Sequence, residues 1–395
     1  MKKHVGVLAI ILITSALLSG CGAVTAADPY DDGYSQLRSR YYCSELMEGT
    51  FRQAWKLNIE DGSILTACAD PLCAHGAENK ECPFRNTAPL EIADGGRYFF
   101  YIGYGPGERA IYCFDTEDNV TTKIYKYDKY PSVNAELIYG NGRLYFNIPQ
   151  IKSSSEGEYI QSTVQTVLYY DVRTKKIERF GEKDEEDALL FACNGRVYYR
   201  CVKDGTLCVS SGSFDGSEPV PLPDGAWYSW WDGYWPCGPG YVVNSTAAPD
   251  IYLYDEKRSV PLPPEASGCI LVGTSANEDT FYFTLGSASP TEDEGGRYVV
   301  KICLLNKDGS YRIYSVQSNF SFFVKKGYGN RVVCKVLSEF IDGADILPGP
   351  EEEQSPNNLI LIDLESGKTS LYNTYSDSVL DMYLGDVTLK VERLK

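Results

Sequence analysis

Histidine is close to absent from this 395-residue chain: there are two, and His4 lies within the first twenty residues. A catalytic arrangement built on an imidazole, Ser-His-Asp or Cys-His, therefore has only His75 to use. Basic charge is scarce as well, with 37 Lys and Arg against 54 Asp and Glu for a formal net charge of −17. Such a surface repels phosphate backbones, which argues against nucleic acid as a partner, and its plainest consequence is solubility. Long apolar runs are missing too. The most apolar stretch, Val5 to Leu18, is too short and wrongly flanked for an ordinary transmembrane helix.

That stretch follows Lys2 and Lys3 and ends in Leu18-Ser19-Gly20-Cys21, an order of basic, apolar, small and Cys that reads as an export signal. It resembles the lipobox of bacterial lipoproteins, which implies lipidation at Cys21 and removal of residues 1–20. The expected organisation is a signal peptide over 1–20, a lipidated Cys21 with a polar tether over 21–38, and one folded domain over 39–395. The mature chain would be anchored to the cell membrane through Cys21, facing outside the cytoplasm. Loss of residues 1–20 takes two lysines, leaving 35 basic against 54 acidic residues and a net charge of −19.

Turn residues and aromatics are plentiful, with 36 Gly, 20 Pro and 31 Tyr. Leu137 to Phe146 alternates around Asn141-Gly142, the strongest short-range signal for a β-hairpin. Val167 to Phe180 forms a second hairpin around a charged turn. The first pattern recurs at Leu90 to Tyr101, Leu189 to Tyr199, Tyr234 to Val243, Cys269 to Leu285 and Phe322 to Val336. The second recurs at Ala54 to Cys68, Ile111 to Tyr127, Thr206 to Leu222, Ile251 to Leu262, Val300 to Val316 and Leu359 to Tyr372. Seven outer hairpins at intervals of roughly 40 to 55 residues predict an all-β chain, a β-propeller of seven blades of four antiparallel strands. Eight blades, a β-helix or a stacked sandwich are the alternatives. The first outer hairpin lacks an inner partner and the C-terminus supplies a leftover one, Val379 to Val391, so the terminal strands are expected to close the ring in one blade.

In that arrangement the turns within hairpins fall at one end of the blades and the longer connections at the other. The expected long loops are Ala69 to Ala88, Gln150 to Ser162, Pro223 to Asp232, Gly286 to Arg297 and Ser338 to Asn358, acidic through residues such as Glu156, Glu292, Asp342 and Glu351. This is the expected binding face. The first loop contains Cys68, Pro71, Cys73, His75 and Cys82. Three thiolates and an imidazole supply the ligand set of a closed structural zinc site; the same cysteines equally suit a disulfide staple in an exported protein. Cys201 and Cys208 face each other across Asp204-Gly205 and are a disulfide candidate. The remaining cysteines read as small buried hydrophobes.

The hairpin Trp55-Lys56-Leu57-Asn58-Ile59-Glu60-Asp61-Gly62 followed by Cys68, Pro71, Cys73, His75 and Cys82 resembles a group of uncharacterised propeller lipoproteins of anaerobic Gram-positive bacteria. The resemblance implies a surface-anchored propeller and brings no activity with it. An anaerobic origin would favour reduced thiols and so metal.

Four of the five tryptophans lie between Trp227 and Trp235. Trp227, Tyr228, Trp230 and Trp231 are candidates for stacking on sugars or burying against a partner protein; packing between blades is the competing account. The Ser-x-Asp-x-Gly-x-x-Trp repeat of sialidase propellers is missing, and no carboxylate pair stands out for glycoside hydrolysis. The expectation is a lipid-anchored surface propeller that binds an envelope protein or glycan without catalysis. A hydrolase acting on surface glycans and a metal-holding protein are the alternatives.

Overall fold

The computed structural model describes residues 40–48, 51–66, 87–93, 97–105, 108–115, 117–127, 137–140, 142–153, 159–184, 187–193, 196–203, 206–211, 218–220, 241–243, 250–253, 258–266, 269–277, 279–286, 298–318, 320–336, 358–373 and 382–395. Among them are seven antiparallel sheets and no α-helix. The first holds β1 (Tyr41–Glu48), β2 (Phe51–Asn58) and β3 (Ile64–Thr66). The second holds β4 (Thr87–Ala93), β5 (Tyr98–Gly105), β6 (Glu108–Asp115) and β7 (Val120–Tyr127), and the third β8 (Leu137–Gly140), β9 (Arg143–Ser153), β10 (Tyr159–Asp171) and β11 (Lys176–Asp184). The fourth holds β12 (Ala188–Cys193), β13 (Arg196–Lys203), β14 (Thr206–Ser211) and β15 (Glu218–Val220), and the fifth β16 (Tyr241–Val243), β17 (Asp250–Leu253) and β18 (Arg258–Pro261). The sixth begins with β19 (Ile270–Asn277), β20 (Thr280–Gly286), β21 (Tyr298–Asn306) and β22 (Tyr311–Ser318), and the seventh runs β23 (Phe322–Tyr328), β24 (Arg331–Val336), β25 (Asn358–Asp363), β26 (Lys368–Asn373) and β27 (Tyr383–Thr388). The last strand, β28 (Lys390–Arg393), returns to the sixth sheet beside β22.

Five of the expected hairpins pair end residue to end residue, Leu137 opposing Phe146, Leu189 Tyr199, Phe322 Val336, Val300 Val316 and Leu359 Tyr372, while in others the ends are offset, as where Val167 opposes Gly181 and Ile111 opposes Tyr125. A feature the sequence reading did not anticipate recurs at the inner strands. β4, β12, β19 and β23 each carry a bulge near the middle, skipping Leu90, Leu190, Gly273 and Lys325 in the register. Bulges increase local twist, which suits a strand that must turn sharply against its neighbours.

Apolar side chains fill the spaces between successive sheets. Phe100, Ile111, Tyr139 and Phe146 lie between the second and third, and Val167, Leu189, Val197 and Tyr199 between the third and fourth. Ile251, Phe281, Phe283 and Leu305 lie between the fifth and sixth, and Tyr282, Ile302, Val332 and Ile360 between the sixth and seventh. The first sheet packs on the seventh, with Trp55, Leu57 and Ile59 against Val333, Leu359, Leu361 and Tyr372. Full burial of each such side chain is worth about 1.5–3 kcal/mol. β21 and β24, central in their sheets, are consequently buried on both faces over much of their length, while β28 at an outer edge is mostly exposed.

Two expectations need correction. The C-terminal residues do not form a hairpin in the first sheet: β27 extends the seventh sheet and β28 the sixth, so the strand paired with β2 is β1. Unpaired edge groups and a buried Leu389, 8% exposed and packed in the cluster between those two sheets, account for the placement. Likewise Gln150 to Ser162 is largely strand rather than loop, because β9 and β10 run on past the blade, with Ser153 opposing Tyr159 and Ile151 opposing Gln161. Tyr159 and Ile160 are strongly strand-forming residues.

Candidate functional site

In the sheets with a full set of four sequential strands the chain is an antiparallel meander, so the turns between the first and second and between the third and fourth strands fall at one end. At this turn end a common clamp recurs. The residue opening the second strand opposes the residue closing the third: Arg143 opposes Asp171, and Arg331 opposes Asp363. Arg331 Nε donates to Asp363 at 3.0 Å, Arg97 Nη2 to Asp115 at 3.0 Å, and Arg143 Nε lies 3.6 Å from Asp171. In the sixth sheet Thr280 and Asn306 make a neutral version at 2.8 Å. Each aspartate also accepts N–H groups from the turn that follows it. Asp363 takes those of Glu365 and Ser366, Asp171 those of Arg173 and Thr174, and Asp115 those of Glu117 and Asp118. Gly367, at φ 72°, then turns the chain back.

Burial works against ionisation of Asp115, Asp171 and Asp363, but the turn N–H groups and the neighbouring arginines outweigh it, holding all three below the usual carboxylate range. A main-chain bond completes the clamp: Val172 N–H donates to Gly142 O at 3.1 Å, Leu364 to Asn330 at 2.9 Å, and Ile59 to Arg40 at 2.8 Å. The last of these identifies β1 as a second strand, equivalent to β9 and β24. The signal was present in the sequence as Gly96-Arg97, Gly142-Arg143 and Asn330-Arg331, each followed by an Asp closing the next strand, but it is a structural device.

Where the turn ends of the first and seventh sheets meet, a cleft of ≈ 340 Å³ is lined by Glu60, Tyr328, Asn330, Arg331, Asp363 and Glu365. Its polar groups satisfy one another. Arg331 also donates to the Glu60 carbonyl, Arg312 to Asn330 Oδ1 at 2.6 Å, and Tyr314 Oη–H to Glu365 at 2.7 Å. This is a seam between sheets, with its charges neutralised in place.

At the opposite end lie the strand termini that flank 67–86, 287–297 and 337–357. Cys21, the set Cys68, Cys73, His75 and Cys82, and the aromatics Trp227, Tyr228, Trp230 and Trp231 all lie outside the described residues. The pair Cys201 and Cys208 lies within them, directly opposed in register, with Cys201 buried. Among the described residues no three His, Cys, Asp or Glu side chains converge on a metal position, and no helix is long and apolar enough to cross a membrane.

No protein-family model matches the chain, and no curated protein sequence matches it. Solved structures do resemble it. An acylaminoacyl peptidase bound to a peptide chloromethyl ketone superposes with a TM-score of 0.51 and 12% identity over 86% of this chain and 51% of that one. The β-propeller domain of the Trilobed protease from Pyrococcus furiosus gives 0.48 at 12% identity over 86% and 99%, and TolB from Acinetobacter baumannii 0.40 at 12% over 72% and 65%. The chain thus spans about half the length of the peptidase and under two thirds of TolB. At such identities the likeness concerns fold alone. The protein is an all-β chain with a β-propeller fold.

Proposed function

We propose that this chain is a lipid-anchored, extracytoplasmic propeller that binds a ligand or partner protein at its loop end and performs no chemistry of its own. The seven sheets are its blades, and the ring closes through the packing of the first sheet on the seventh. The observation that carries the reading is the difference between the two ends. At the turn end, short turns are locked by Arg–Asp clamps and the cleft's charges are mutually neutralised. At the opposite end the strands flanking 67–86, 287–297 and 337–357 terminate together. Variable loops on a rigid scaffold are where binding surfaces are built. Export and anchoring at Cys21 rest on the lipobox, and an envelope protein or glycan, rather than nucleic acid, is the partner that location and negative charge favour.

Replacing Trp230 and Trp231 by Ala in the mature chain is expected, on this reading, to weaken retention on an isolated envelope fraction several-fold while leaving Tm within about a degree or two, since binding aromatics supply contact area rather than core. Unchanged retention would remove the tryptophans from the site. Release of reducing ends from envelope polysaccharide by the parent chain would replace binding with glycan hydrolysis.

A further inference from the structure

We propose that Lys325 and Lys335, gathered around the Phe323 ring at the inner edge of the seventh sheet, form an oxyanion site that takes a phosphate or carboxylate group of the ligand. The argument starts from the bulges. In β4, β12 and β19 the residue skipped by the register is Leu90, Leu190 and Gly273, whereas in β23 the register passes from Val324 opposite Cys334 to Lys326 opposite Val333 and skips Lys325. The bulge itself therefore has no need of charge, and a bulge re-aims the side chain it carries. Phe323 lies directly opposite Lys335, so the two share a face, and the Lys325 ammonium stands 4.9 Å from the Phe323 ring centroid. Phe322 opposite Val336 ends this ladder on the side away from the Tyr328–Arg331 turn, which puts Phe323 and Lys335 one residue in from the loop end. β23 is also the first strand of its sheet and packs beside β19, the first of the sixth. In a propeller such strands border the central channel.

What sets the pair apart is the lack of a counter-charge. Among the described residues neither lysine has an ion pair or a hydrogen bond. The strands at this edge, β19, β20, β23 and β24, contain no Asp or Glu, in a chain that has 54 of them. They carry Lys325, Lys326, Arg331 and Lys335; Arg331 is committed to Asp363 and Lys326 has a contact of its own, which leaves the two. The Lys325 side chain is exposed, yet the protein around it, and then the Lys335 charge, push its pKa below the usual lysine value. Exposure together with desolvation describes a group in a lined channel. Two like charges left unpaired there repel each other and attract an anion that comes between them. An ammonium acts as a point charge and suits either oxyanion, and the half-buried Phe323 gives the body of the ligand an apolar surface beside them.

The site rests on the reading that the ligand enters at the loop end, and it gives that ligand a charge. With a formal net charge of −17, the surface at large repels an anionic polymer, and a local pair of unpaired cations admits it at one point. An envelope polymer bearing phosphate and one bearing sugar carboxylates would both present the group.

The test titrates the full chain with inorganic phosphate and, separately, with acetate, by calorimetry at constant ionic strength. One site per chain is expected. Lys325→Gln or Lys335→Gln should raise Kd at least about tenfold, while Lys325→Arg, which keeps the charge, should hold it within about twofold. Lys176→Gln, on the exposed part of β11, is the control and should leave Kd unchanged. The probe with the lower Kd identifies the group as phosphate or carboxylate. In the absence of either anion, Lys325→Gln should raise the urea midpoint, because a repulsion is removed; a lower midpoint would make Lys325 a structural residue and overturn the site. Failure of both probes to bind overturns it too, as does binding that survives the two Gln substitutions together. If the small anions bind but neither the double lysine variant nor the Trp230 and Trp231 variant loses retention on the envelope fraction, the envelope reading fails and the site stands. If retention falls with the tryptophans and no small anion binds, the site fails alone.

Discussion

Gly140 closes the inner strand β8, and a Cβ placed on it would lie 2.0 Å from the carbonyl oxygen of Ala192 and 2.6 Å from its carbonyl carbon. Ala192 is on β12, 2% exposed, so the main chains of the third and fourth sheets touch here with no side chain between them. A carbon needs about 3.3 Å from a carbonyl oxygen, so Gly140→Ala must part the two strands by roughly 1 Å. No rotamer change relieves it, because the obstacle is backbone. Parting the strands also loosens the cluster of Ile138, Tyr145, Leu189 and Val197 beside them. Overpacking typically costs about 1–3 kcal/mol, and a rigid neighbour puts this site at the upper end, offset by about 0.4–1 kcal/mol from the stiffer unfolded chain. The expected loss is ~2 kcal/mol, read as a lower urea midpoint at unchanged slope in equilibrium unfolding of the mature chain. Gly329→Ala is the control. Its φ is 58° with nothing within 4 Å of an added Cβ, so only the left-handed backbone cost of about 1 kcal/mol applies. If Gly140→Ala unfolds at a midpoint equal to or above that of Gly329→Ala, the close approach of the inner strands is refuted.

Asp115, Asp171 and Asp363 are held below their unfolded value of about 3.9, so each stabilises the fold at pH above that value and loses the contribution as pH falls through its lower folded value. Asp→Asn at any of the three should therefore lower Tm at pH 7 by more than at pH 3; an equal loss at both would show that the charge is immaterial. Metal analysis of the chain purified without added metal should find about one zinc per molecule if Cys68, Cys73, His75 and Cys82 form a closed site, lost on His75→Ala; no metal with those thiols oxidised would make the loop a disulfide staple. Hydrogen exchange should be faster in β2 and β3 than in β21 and β22, since the first sheet meets the seventh without a shared strand while β28 caps the sixth; equal protection would mean the seam opens only with the whole fold.

The architecture was legible because its signals are local. Asn141-Gly142 and the alternation on either side specify a hairpin from ten residues, and such hairpins recur in the chain often enough to imply stacked sheets. What escaped was everything decided between segments distant in sequence. Nothing local in Tyr383 to Arg393 tells whether those residues pair with β2 or with β26 and β22; edge hydrogen bonds offered by sheets already formed make that choice. The Arg–Asp clamp escaped for a related reason, since Arg331 and Asp363 are 32 positions apart and meet only through strand register. The loop end was legible as a location and not as a chemistry. Alternation predicts which connections share an end, but it carries no information on how acidic or aromatic loop residues converge.

The two ends of the sheets divide the work of the molecule in a way that follows from their energetics. At the turn end, the seam between the first and seventh sheets needs both an apolar layer, Trp55 and Leu57 against Leu361 and Tyr372, and polar ties that cross it, Tyr372 Oη–H to Gly62 O at 2.9 Å and Arg331 to the Glu60 carbonyl. These two sheets are the pair with no covalent connection between neighbours in sequence, so side-chain contacts must hold them together unaided. A ligand site built there would have to spend the same charges on its ligand, weakening the seam whenever it was empty. The loop end is under no such demand. The clamps recur at the turns, and none of them lies at the strand ends that flank 67–86, 287–297 and 337–357. A scaffold stabilised at one end can accept substitutions at the other with little loss of stability, and that is the physical reason for proposing the binding surface at the loop end.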